Sequence, residues 1–179
     1  MNEFLSEENI SLHREYVRKK QLELSILESS IPGLSGASVA DIWHMRLTRR
    51  DRRDALALKL ETLMHGIFFS SFSCMSHPRS EYVTRSFGSE AAFLNEVYKL
   101  ALAQPYGFVA VFNKGRDIVL GEVLDARDIR VHQPVLAIDV CEHAYFADYG
   151  FDKRRYLVSA LPYLDVTKLT FPTRKVGTT

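Results

Sequence analysis

Residues 139–146 read Asp139-Val140-Cys141-Glu142-His143-Ala144-Tyr145-Phe146. They stand where the apolar run Val135-Leu136-Ala137-Ile138 stops and a helical segment from about His143 to Tyr149 starts. A carboxylate and an imidazole four residues apart at such a strand-to-helix junction can turn toward one point. One oxygen and one nitrogen there suit iron or manganese, borderline ions that accept mixed ligands. The same spacing also suits an Asp that caps a helix and a His with an ordinary structural role, so spacing alone leaves both readings open.

Upstream of this segment, Phe108 to Phe112, Asp117 to Leu124 and Val135 to Asp139 are short runs rich in β-branched and aromatic residues. Asn113-Lys114-Gly115 and a longer polar loop separate them, which predicts a three-stranded antiparallel sheet. Before it, Ser89 to Leu102 forms an amphipathic helix with Ala92, Phe93, Val97, Leu100 and Ala101 on one side. After it, Arg154 to Leu164 reads as helix and the Thr-rich tail as frayed. The other half of the chain is helical. Ser6 can cap a long helix with Glu7 and Glu8 in its first turn, and Pro32-Gly33 ends it. Ser38 can cap a short helix through Trp43, Arg46 to Arg53 reads as a solvated turn, and Ala55 starts a second long helix running past Phe68. The fold class is therefore α+β: an N-terminal long helical hairpin (1–76), then an α/β domain (77–179) with the three-stranded antiparallel sheet and flanking helices. The boundary falls in the Ser/Cys/Pro-rich stretch from Ser70 to Pro78.

Composition narrows the partners. Lys and Arg number 23 against 22 Asp and Glu, a formal charge of +1 that supplies no field for holding nucleic acid or an anionic membrane. No apolar run approaches the roughly 18 residues of a membrane helix, and the acidic start Met1 to Glu8 lacks the apolar core of a signal peptide, so a cytoplasmic location is expected. Cys74 and Cys141 make neither a disulfide framework nor a zinc motif.

Asp139-x-x-Glu142-His143-Ala144-Tyr145-Phe146, preceded by Pro134-Val135-Leu136 and followed by Asp148-Tyr149, resembles the C-terminal metal signature of the iron/manganese superoxide dismutases. Phe87-Gly88-Ser89 opening a helix, Gly107 to Val111 as the next strand, and His65-Gly66-Ile67-Phe68-Phe69 on the second long helix are similar to that family in order and type. The resemblance implies redox dismutation of superoxide by one Fe or Mn ion per chain in a homodimer. It also implies a ligand from each hairpin helix, an Asp, a second-domain His and a solvent molecule. Three of these positions match His65, Asp139 and His143. For the first helix, the seven-residue interval from Leu5-Ser6 selects His13, whereas counting back from the gateway pair Tyr16-Val17 selects Glu8, and a site without a first-helix ligand is the third possibility. Tyr16 matches the residue at the substrate entrance.

Other positions depart from the family. Cys141 stands where a Trp is expected, either tuning the metal or simply packing. Glu61 stands where a Gln would bond the bound solvent, and it either accepts from that solvent or is solvated. Glu142 keeps the family's carboxylate that reaches a partner's metal-ligating His, while an intersubunit Tyr–His contact has become apolar at Phe146 and at Val17 or Leu12. His44, His77 and His132 have no partners at ligand spacing, and Arg49-Arg50-Asp51-Arg52-Arg53 is either a steering patch for an anion or a solvated face. Two rival functions remain: a dimeric metal-binding relative without turnover, and a non-haem iron enzyme using two His and one carboxylate.

Overall fold

The computed structural model describes residues 4–73 and 80–170. The first long helix, α1 (Glu7–Ser30), starts at Ser6, whose hydroxyl accepts from the Asn9 amide, and ends just before Pro32. A short α2 (Val39–His44) carries a full capping box between Ser38 and Asp41. The second long helix, α3 (Arg49–Ser70), starts earlier than expected. Only Arg46 to Thr48 stay outside a helix; from Arg49 the basic run forms the first turns of α3, because Thr48 accepts from the Asp51 amide at 3.0 Å and sets the helix start there. A Lys59–Glu28 ion pair and a Tyr16–Glu61 hydrogen bond join α1 and α3, and the two helices form the expected hairpin.

Helix α4 (Glu81–Phe87), capped by Ser80, was not foreseen: seven residues are too few to show a helical period. Helix α5 (Glu90–Ala103) buries Phe93, Val97 and Ala101. The strands β1 (Phe108–Lys114), β2 (Asp117–Val123) and β3 (Pro134–Asp139) form one antiparallel sheet in the order β2-β1-β3. Every side chain from Phe108 to Phe112 is buried, as a central strand covered on both faces requires. Helix α3 lies against β3 and α5 against β1. The Glu142–Ala144 segment is a single 3-10 turn, followed by α6 (Phe146–Tyr149), α7 (Lys153–Ala160) and two further 3-10 turns. The expected domain boundary at 76/77, His77, Cys74 and the Thr-rich tail beyond Thr170 lie outside the described residues.

Two details set where the ends of these elements sit. The Ser71 hydroxyl, with no exposed surface, donates to the Ile67 carbonyl (2.7 Å) and accepts from the Ala137 amide (2.8 Å), tying the end of α3 to β3. Ser71→Ala leaves that buried amide unpaired, so the melting temperature is expected to drop by the equivalent of about 1–3 kcal/mol. An unchanged melting curve would show that the tie is dispensable. Gly107, at φ +85°, passes so close to the Val123 carbonyl that a Cβ would lie 2.6 Å from its oxygen. That close passage lets the Gly107 carbonyl accept from the Val140 amide (3.0 Å), which holds the chain just past Asp139.

Candidate metal centre

Asp139 is the last residue of β3, and its Oδ1 accepts from the Cys141 amide at 2.9 Å. That turn fixes the carboxylate over the strand end and leaves Oδ2 to face inward. The carbonyl of the same residue accepts from the buried Tyr156 hydroxyl (3.0 Å), which clamps the strand end from α7. Opposite, His65 of α3 directs Nδ1 at the Glu61 carbonyl one turn back (2.7 Å). With Nδ1 donating, Nε2 carries the lone pair, the arrangement that suits a metal ligand. Phe108, paired with Asp139 across the sheet, stands edge-on to the His65 ring at 5.1 Å.

Four side chains from four elements meet here. Nε2 of His13 and of His65 each lie 3.3 Å from Asp139 Oδ2, and Nε2 of His143 lies 3.0 Å from it. His65 Nε2 and His143 Nε2 are 3.2 Å apart, and all four candidate donor atoms fall within 4.8 Å of one another. His13, His65 and Asp139 are buried, while a third of the His143 side chain remains open to solvent. Proximity is not pairing: Asp139 Oδ2 and both ring nitrogens of His13 have no hydrogen-bond partner. A fully buried carboxylate oxygen facing unaligned imidazole nitrogens is costly unless a cation joins them. Three nitrogens and one oxygen fit an iron or manganese ion.

The charge states of His13 and Asp139 agree with such a role. Burial lowers the His13 pKa, favouring the neutral imidazole that can coordinate. Burial alone would push the Asp139 carboxyl up, but the contacts from His13, His143 and His65 more than offset it and hold the group well below the usual carboxylate range. At His143, burial pulls down and the Asp139 contact prevails, so its pKa is raised.

Beside the cluster, the Tyr16 ring stacks on His143 at 4.7 Å and its hydroxyl donates to Glu61 Oε2 at 3.2 Å. Burial, then the Glu61 charge, push the phenol up, so it keeps its proton. Glu61 is one-third exposed, with Oε2 3.5 Å from His65 Nδ1. Cys141 is partly buried and its sulfur accepts from the Gly107 amide at 3.0 Å, clasping the loop after β3 to the start of β1. Burial, then the Asp139 charge, push that thiol up to about 12, as befits a packing residue.

Glu8 is exposed in the first turn of α1 and outside the cluster, as are the exposed His44 and His132. Glu142 is exposed, Phe146 is 49% exposed, Leu12 is exposed and Val17 is buried. Two residues here carried no recognised signal in the sequence. Tyr156 acts across 17 residues, and Asn9, one turn before His13, is buried with its Nδ2 unpaired.

The family described as iron/manganese superoxide dismutases, C-terminal domain, matches residues 76–169, more than half of the chain. The matched span includes Asp139 and His143 and excludes His13 and His65, which reach the same point from the hairpin. A search of curated proteins finds no match.

Proposed function

This chain belongs to the iron/manganese superoxide dismutase family, and from that premise we propose that it is an active dismutase with His13, His65, Asp139 and His143 as protein ligands to one Fe or Mn ion. One observation carries the proposal: three imidazole Nε2 atoms converge on a fully buried carboxylate oxygen that has no hydrogen-bond partner. When bound, the ion supplies one-electron chemistry, oxidising one superoxide to dioxygen and reducing a second, with two protons, to hydrogen peroxide.

The remaining work belongs to the chain. The anionic Asp139 stabilises the cationic centre, while Tyr156 and the Cys141 amide hold its orientation. His65 is oriented through Nδ1 by the Glu61 carbonyl. Tyr16 keeps a proton at its hydroxyl beside the solvent-facing edge of His143, and Glu61 holds that hydroxyl in place.

His13 Nε2 approaches Asp139 Oδ2 as closely as His65 Nε2 does, which supports a four-residue set over the two-His, one-carboxylate alternative. The carboxylate at Glu61 favours a second reading, a metal-binding relative without turnover, because it replaces an amide that bonds solvent in the family. The test is superoxide turnover after separate reconstitution with iron and manganese, with metal content measured in the same samples. Fast turnover at about one ion per chain supports the dismutase; one bound ion without turnover overturns it in favour of the binding relative.

We also propose a homodimer through the surface next to Glu142 and His143. Phe146 and Phe151, 49% and 83% exposed, pack edge-to-face at 5.0 Å there and leave an apolar patch beside the candidate site. Phe151→Glu is expected to convert a species of twice the chain mass into the monomer in light scattering. A native protein that already runs as a monomer would remove this proposal.

A further inference from the structure

The candidate ligands on the two hairpin helices are held differently. His65 directs Nδ1 at the Glu61 carbonyl (2.7 Å), which fixes its ring and leaves Nε2 free for a metal. His13 likewise turns Nε2 to Asp139 Oδ2 (3.3 Å), yet its Nδ1 has no hydrogen-bond partner. Once Nε2 coordinates, Nδ1 carries the ring proton, and a buried N–H without an acceptor is costly.

The surroundings narrow where that acceptor can come from. Among the described residues, four rings lie 5.0–5.1 Å from the His13 ring. Those of Phe68 and Phe69 offer no lone pair, and those of His65 and His143 present Nε2 to the cluster. Of the other buried polar side chains, Ser71 is committed to Ile67 and Ala137, and Gln104 to Tyr106 and Phe108. Asn9 remains. Like His13 it is 1% exposed, and its Nδ2 has no partner. The buried positions of α1 are Asn9, His13, Val17 and Leu24, so Asn9 and His13 share one face on successive turns. Helical side chains lean toward the N-terminus, which inclines the His13 ring over the turn that carries Asn9. Packing alone does not call for a carboxamide there, since a leucine of similar size costs less to bury.

We propose that Asn9 is the positioning residue of His13: its side-chain Oδ1 accepts the Nδ1 proton of His13 when Nε2 holds the metal. The amide reaches that arrangement by rotation about its terminal torsion, which is broad and roughly two-fold in asparagine. The bond sets the tautomer of His13, fixes the plane of its ring and raises its basicity toward the ion, as the Glu61 carbonyl does for His65. The inference rests on the metal-site part of the proposed function and not on turnover.

The test uses the full chain, with zinc as a diamagnetic ion that accepts the same ligand types, and with manganese affinity measured by competition against a chelator. In nitrogen-edited NMR of the zinc-loaded parent, the Nδ1 protons of His13 and His65 are both expected downfield, as hydrogen-bonded imidazole protons are. Asn9→Leu should move the His13 signal and leave that of His65, which the Glu61 carbonyl holds, in place. Its manganese affinity should fall by about 10- to 100-fold, the usual effect of removing the outer partner of a ligating histidine. Asn9→Asp keeps the shape and the acceptor, so it should retain the His13 signal and bind manganese within about threefold of the parent. A parent spectrum without a downfield His13 Nδ1 proton overturns the inference before any variant is made. So does an Asn9→Leu protein that binds manganese within about threefold of the parent, or one in which the His13 and His65 signals move together, the mark of general loosening. A parent that binds no metal removes the metal site and this inference with it, whereas normal parent binding beside an unaffected Asn9→Leu removes this inference alone.

Discussion

Asp139→Asn is expected to weaken metal binding by more than about 100-fold, beyond the 10- to 100-fold typical of losing an outer hydrogen bond to a ligand, and to abolish superoxide turnover. The substitution keeps the shape of the side chain. Its amide oxygen can still accept from the Cys141 amide, so the turn after β3 survives. What disappears is the single anion at the point where three imidazole nitrogens converge. The metal-free variant should still fold, because the Cys141 amide and the Tyr156 hydroxyl go on holding the end of β3. Metal analysis, turnover and a melting curve on one preparation check the three statements together. A variant that retains stoichiometric metal and full turnover would refute the ligand assignment of Asp139.

Removing the metal from the parent protein should lower its melting temperature by about 8–16 °C, taking free metal at about 1,000 times its dissociation constant and roughly 4 kcal/mol of linked stability. The donors come from α1, α3, the end of β3 and the 3-10 turn behind it, so one ion would tie both hairpin helices to the sheet, where the Ser71–Ala137 hydrogen bond ties only the end of α3. The same comparison in Asp139→Asn should show almost no difference between loaded and stripped protein. Calorimetry with and without chelator decides it. Equal melting temperatures for loaded and stripped parent protein would mean that the four side chains do not form a metal site in the folded state.

Much of the architecture was legible because it rests on local physics. The strands announce themselves as β-branched and aromatic runs bounded by turn residues, and Ser6, Ser38 and Ser89 each accept from a helix amide as their positions suggest. The early start of α3 was also present in the sequence, as Thr48 followed three residues later by Asp51, but the density of arginines masked it. For α4, a seven-residue segment gave the hydrophobic period no room to appear. In the candidate site, the Asp139–His143 pair could be read from its spacing and place, and resemblance added His65. The first-helix position could not be settled that way, since one interval led to His13 and another to Glu8.

Sequence by itself determined the chemistry on offer: which donors exist, that Asp139 and His143 flank a strand end, and that the chain divides into helical and mixed parts. These follow from the helix and strand periods and from side-chain type, which act over a few residues. Only the tertiary structure decided that His13 rather than Glu8 faces the cluster, that Tyr156 secures the Asp139 carbonyl, and that Glu61 holds Tyr16 instead of standing free. Each depends on how far α1 has slid and turned against α3 and on how both lie over β3. That placement is set by packing across the whole core, where a shift of one helical turn, about 5.4 Å, exchanges a buried imidazole for an exposed carboxylate.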